Sequence, residues 1–123
     1  MNKELADEYL KTLASAYVWV ASADQGADNV ELRKYEHVMV ESQFATQFEA
    51  DNIRRYFKDM VTMFIDDFDA GIALTRTRLE KIRGQGHLTE EVIRVCRAAI
   101  VADGDIDEAE ENALTEISKA LGL

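Results

Sequence analysis

The chain has 123 residues, the length of one ordinary domain with little room for a second core, and reads as a single domain over 1–123. Apolar residues make up 47% and charged residues 31%, enough to bury a core, and no stretch approaches the roughly 18 consecutive apolar residues of a membrane span. A net charge of −10 argues against nucleic acid and anionic membrane, which need Lys and Arg against phosphate, and favours cations or basic protein surfaces; acidity that serves solubility alone is the plain alternative.

Proline is absent, and apolar residues recur at helical steps of three and four, so the chain reads as all-α with six to seven helices. The opening Met1 to Ala6 carries Glu4 and leads straight into an amphipathic pattern, unlike a secretory signal, which points to a cytoplasmic protein. Leu5, Tyr9, Leu10, Leu13, Ala16, Tyr17 and Val20 form one stripe of a first helix over about Lys3 to Ser22, with Trp19 at its border. A second helix follows the polar stretch Asp24 to Asn29, opens on a capping box of Asp28 and Glu31, turns Leu32, Tyr35, Val38 and Met39 inward and runs to about Phe44.

Ile53, Tyr56, Phe57, Met60, Val61, Phe64, Ile65 and Phe68 give a third helix its inward stripe. A fourth, near Asp69 to Arg83, uses Ile72, Leu79 and Ile82, and Gly84 to His87 read as its stop and a loop. Thr89 opens a fifth helix that is apolar on most sides from Val92 to Ala102, which marks it as the central element. Its Cys96, the only cysteine, reads as a buried thiol. Asp107 to Glu110 open a last helix with Ala113, Leu114, Ile117 and Leu121 inward, and Gly122 closes it.

A doubled acidic motif carries most of the functional signal. Ala23, Asp24, Asp28 and Glu31 recur without a gap, 79 residues later, as Ala102, Asp103, Asp107 and Glu110. Each copy falls at the end of one helix, the loop and the start of the next, which suggests an internal helix-loop-helix pseudo-repeat. At the same offset Leu13 corresponds to Val92, Tyr17 to Cys96, Tyr35 to Leu114 and Val38 to Ile117. Helix starts favour carboxylates, so capping accounts for much of Asp28, Glu31, Asp107, Glu108 and Glu110. Asp24 and Asp103 stand near a preceding helix's carboxyl end, where a negative charge is mildly unfavourable, and need another reason.

Between 103 and 111, Asp103, Asp105, Asp107, Glu108, Glu110 and Glu111 crowd together and call for a cation or a basic partner. Oxygen donors without adjacent Cys or His select a hard divalent cation, calcium, magnesium or manganese, over zinc; His37 and His87 stand isolated. A complete EF-hand is excluded: with Gly104 at the sixth loop position, the first and third become Ala99 and Val101, which offer no side-chain oxygen. Ligands missing from one half would come from the other, and the candidate metal set is Asp24, Asp28, Glu31, Asp103, Asp105, Asp107 and Glu110.

An apolar helix ending in Ala102, Asp103 and Gly104, followed by Asp107 and Glu110 before Ala113, resembles the carboxyl-terminal motif of TerB-like tellurite resistance proteins. The first-half counterpart Ala21, Ser22, Ala23 and Asp24, the aromatic third helix and the closing Glu116 to Gly122 extend the resemblance over nearly the whole chain. The first half departs from the pattern, with Gln25 beside Asp24 and Gly26 one place late. The resemblance implies a compact fold of about seven helices with an internal pseudo-two-fold, and an acidic surface for divalent cations in a bacterial response to tellurite and other stresses. Its matching positions are Asp24, Glu31, Asp103, Gly104 and Glu110; Asp28, Asp105 and Asp107 come from the acidic pattern alone. Family domains also stand beside chaperone and signalling modules, which fits an adaptor with protein partners.

An enzyme is the less favoured reading. The sequence has no metalloprotease run, no Gly-rich phosphate loop, and no Ser or Cys with an evident activating base nearby. An exposed Trp19 or Phe44 would mark a homodimer contact.

Overall fold

The computed structural model describes residues 1–23, 29–101 and 107–123. Six α-helices occupy them: α1 Lys3–Ala21, α2 Asn29–Val40, α3 Ala50–Asp66, α4 Phe68–Lys81, α5 Gly86–Val101 and α6 Glu108–Ala120, with a short 3-10 turn at Ala45–Gln47. Regular structure among the described residues is entirely helical, and no helix among them is long and apolar enough to cross a membrane.

Asn2 starts α1 by accepting a 2.8 Å hydrogen bond from Leu5 N, and Glu4 complements the positive end of the helix. From Thr12 to Ala21 every residue of α1 is buried. Four other helices pack around it, namely α3, α4, α5 and α6. The central element is thus α1, where the apolar pattern had pointed to α5. Ala14, Ser15, Ala16 and Thr12 lie between the large apolar residues, and their small side chains let neighbouring helices approach faces that an apolar pattern leaves blank. The buried hydroxyls turn back into their own helix, Ser15 Oγ to Lys11 O at 2.7 Å and Thr12 Oγ1 to Glu8 O at 3.1 Å. Trp19 is buried rather than marginal, whereas Leu5, expected inward, is 58% exposed because the neighbouring helices do not cover the start of α1.

Helix α2 ends at Val40, four residues short of the expected Phe44. The cause is Ser42, whose Oγ accepts from Phe44 N at 3.1 Å and donates to Glu91 Oε2 at 2.8 Å. That local bond offers the backbone an alternative to another helical turn. The redirected chain lays the Phe44 ring edge-on against Tyr9 at 5.4 Å. Both Phe44 and Trp19 are buried, so neither is a homodimer marker.

Helix α3 turns Tyr56, Phe57, Met60 and Phe64 into the core. The stripe stops there, since Ile65 is 74% and Phe68 39% exposed. Asp67, in an extended conformation, breaks the helix and caps α4 by accepting from Ala70 N at 3.1 Å, which moves Phe68 onto the next helix. Close approach of α4 to α3 requires Gly71: a Cβ there would stand 2.9 Å from the Phe64 ring.

Gln85 O accepts from both Leu88 N and Thr89 N, at 2.9 and 3.0 Å, so α5 starts at Gly86 rather than at Thr89. At the carboxyl end, Gly122 adopts φ +81°, and Leu123 N reaches Ser118 O at 2.9 Å, a glycine-terminated helix close. The core draws on all six helices, with the Tyr17, Tyr35 and Phe57 rings in tilted contact at centroid distances of 5.0 to 6.0 Å.

Candidate functional site

The relative direction of α1 and α5 governs where the two acidic stretches attach. Tyr9 Oη donates to Leu88 O at 2.7 Å and ties the start of α1 to the first turn of α5. The Phe44 ring lies 5.4 Å from Tyr9 and 6.1 Å from His87, near the starts of both helices. Going back along the chain, Ser42 donates to Glu91 at 2.8 Å, Val38 O accepts from Arg94 Nη2 at 3.2 Å and the Tyr35 ring lies 5.0 Å from Tyr17, so each step back along α2 is a step forward along α1 or α5. The two helices therefore run the same way and finish at one end of the molecule.

Helix α2 returns from that end. Its first turn is held by Tyr17, whose Oη donates to Glu31 Oε2 at 3.1 Å. Its last turn meets α5, where Arg94 Nη2 donates to Val38 O at 3.2 Å. Residues 24–28 thus join α1 to α2, and residues 102–106 join α5 to α6, from helix ends that share one end of the bundle.

Of the seven candidate ligands, Asp24, Asp28, Asp103 and Asp105 lie outside the described residues. Glu31, half-buried, takes the Tyr17 hydroxyl and lies 3.6 Å from Lys34 Nζ. Asp107 caps α6 as expected, accepting from Ala109 N at 2.7 Å and from Glu110 N at 3.4 Å. Glu110 is 2% exposed, a burial that neither capping nor the acidic pattern anticipates. Among the described residues alone, no three carboxylate, His or Cys side chains come together in a metal-holding group.

The histidines stand apart: His37 pairs with Glu41 at 3.1 Å and the His87 ring sits 6.1 Å from Phe44. Glu31, Asp107 and Glu110, the described candidates, are carboxylates, the donor type that hard divalent cations prefer. Any cation at Glu31 would compete with Lys34 for Oε1.

Sequence reasoning missed a second polar constellation that holds α2 to α5. Glu91, 3% exposed, accepts from Ser42 Oγ at 2.8 Å and pairs with Arg94 Nε. The sequence pattern puts Glu91, with Thr89 and Glu90, at the opening of the fifth helix, whereas in the structure it is buried and bonded to Ser42 beyond the end of α2. Cys96 is buried as expected, and burial pushes its thiol pKa well above the usual range, so it stays protonated.

A family model described as Tellurite resistance protein TerB matches residues 11–123. No curated protein and no solved structure matches the chain.

Proposed function

The chain belongs to the TerB family of tellurite resistance proteins, and on that premise we propose that it is a non-enzymatic stress-response domain whose acidic end binds a divalent cation. The observation that supports this reading most is the shared direction of α1 and α5. It starts both acidic stretches from the same end of the bundle, so carboxylates of the two halves can serve one ion. Asp24 and Asp103 would hold the ion with help from Asp28, Asp105, Asp107, Glu31 and Glu110, and calcium, magnesium or manganese suits them. A bound ion would relieve the repulsion among the crowded carboxylates.

Thermal unfolding in millimolar calcium, magnesium and manganese tests the reading, with titration calorimetry on the same panel. A rise in melting temperature that Asp103→Asn abolishes is expected. No rise and no binding heat with any of the three ions would sink it.

A metal-free adaptor is the second reading, and the exposure of Glu108 and Glu111 in the first turn of α6 favours it. Both carboxylates face solvent, where a basic protein surface can reach them. Charge reversal at Glu108→Lys with Glu111→Lys would then abolish partner recovery, and unchanged recovery would count against this reading.

A further inference from the structure

Arg54 pairs with Glu36 at 3.2 Å, Arg76 with Glu116 at 3.0 Å and Arg94 with Glu91, while the exposed Arg33, Arg83 and Arg97 have no carboxylate within 4.0 Å among the described residues. Arg78 differs from all of these in being half-buried. Its Nη1 stands 2.6 Å from Ser15 Oγ and 3.4 Å from Met60 Sδ, both neutral. Among the described residues no carboxylate oxygen comes within 4.0 Å of its guanidinium. Ser15 already donates to Lys11 O, so its oxygen serves as the acceptor that fixes Arg78 in place. The side chain is half-buried, and desolvation lowers its pKa against the weaker opposing charge of Glu8.

Arg78 opens on a cleft of about 360 Å³ between α1, α3 and α4, lined also by Lys11, Arg55, Tyr56, Asp59 and Met60. Arg55 likewise has no carboxylate within 4.0 Å among the described residues; its Nη2 lies 3.4 Å from Tyr56 Oη. Tyr56 donates to both oxygens of Asp7 at 2.7 and 2.8 Å, which leaves a lone pair for Arg55. Lys11 is neutralised by Glu8 at 3.2 Å and Asp7 at 3.9 Å. Asp59 is the carboxylate on the cleft wall itself and offsets part of the charge. Among the described residues, neither of these two guanidinium groups from separate helices has a carboxylate within 4.0 Å.

We propose that this cleft is a binding site for a small phosphoryl anion, inorganic phosphate or a phosphate monoester, gripped by Arg78 and Arg55. Planar guanidinium forks each match a pair of phosphoryl oxygens, and two forks from different helices suit a dianion better than a single carboxylate. The Tyr56 ring, with Lys11 Nζ 5.3 Å and Arg55 Cζ 5.2 Å from its centroid, holds both cations beside the cleft. The site uses none of the acidic residues assigned to the cation and stands independently of that assignment.

The test is titration calorimetry of the full chain with inorganic phosphate in a metal chelator, at ionic strength matched with chloride. Glycerol 3-phosphate forms a second arm that separates free phosphate from a monoester. Saturable binding is expected, weakened about tenfold or more by Arg78→Gln and by Arg55→Gln, and unchanged by Arg76→Gln. Arg55 is exposed, so its variant keeps the test valid if Arg78→Gln fails to fold. No binding of either anion above the chloride background, or equal affinity in the Arg55→Gln and Arg76→Gln proteins, would overturn the proposal.

Discussion

Tyr9 Oη and Leu88 O, 79 residues apart, meet in a buried hydrogen bond of 2.7 Å. Their separation in sequence equals the spacing of the two acidic clusters, and the bond ties the start of α5 to the start of α1. It also contrasts with Tyr35, whose buried Oη has no hydrogen-bond partner among the described residues.

Substitution to Phe at these two sites is expected to act in opposite directions. Tyr9→Phe removes a made bond and should lower stability by about 1 kcal/mol, whereas Tyr35→Phe removes an unsatisfied hydroxyl and should leave stability unchanged or raise it by about 1 kcal/mol. Urea unfolding of both proteins measures the difference. A destabilised Tyr35→Phe would show that its hydroxyl has a partner in solution.

Gly71→Ala sets helix propensity against packing. Alanine favours α4 by up to about 1 kcal/mol, but its Cβ would stand 2.9 Å from the buried Phe64 ring, and overpacking costs about 1–3 kcal/mol. Net destabilisation is expected, relieved when Phe64→Leu is added. A single mutant more stable than the parent would refute the packing argument.

Arg94→Ala strips a charge partner from Glu91 and the donor from Val38 O. Glu91 is buried, but Arg94 reaches solvent, so the loss is expected near 2 kcal/mol rather than the full cost of an isolated buried charge. The end of α2 should loosen first, read as faster amide exchange from Val38 to Val40. Uniform exchange across the molecule would contradict that local role.

Alkaline pH should destabilise the fold. Burial is the main cause that raises the pKa values of Cys96, Tyr35 and Tyr9 above their ordinary ranges. The unfolded chain ionises its thiol near ~8.5 and its tyrosines near ~10. Above those values it holds fewer protons than the native state, so stability is complete below about pH 8.5 and falls as pH rises, by up to about 1.4 kcal/mol per unit for each group. Cys96→Ala should remove the part of the decline between about pH 8.5 and 10. Denaturant midpoints that stay level to pH 10 in the parent would rule the effect out.

Taken by itself, the sequence determined the all-helical class, the inward stripe from Tyr56 to Phe64, the Asp107 cap and the Gly122 close. Each depends on periodicity or on bonds between residues a few places apart, which local order carries in full. The same local signals gave the TerB resemblance, now supported by a match over 11–123.

Tertiary structure decided the rest, because burial depends on what a neighbouring helix covers. Small residues made α1 and not α5 the centre, the bend at Ser42 brought Glu91 and Phe44 into buried contacts, and the Asp67 break moved Phe68 onto α4. Only the folded chain shows that α1 and α5 end together, and only there do Arg55 and Arg78, 23 positions apart, line one cleft. Charge can be counted along a sequence, but whether a charge has a partner is settled by distances between helices.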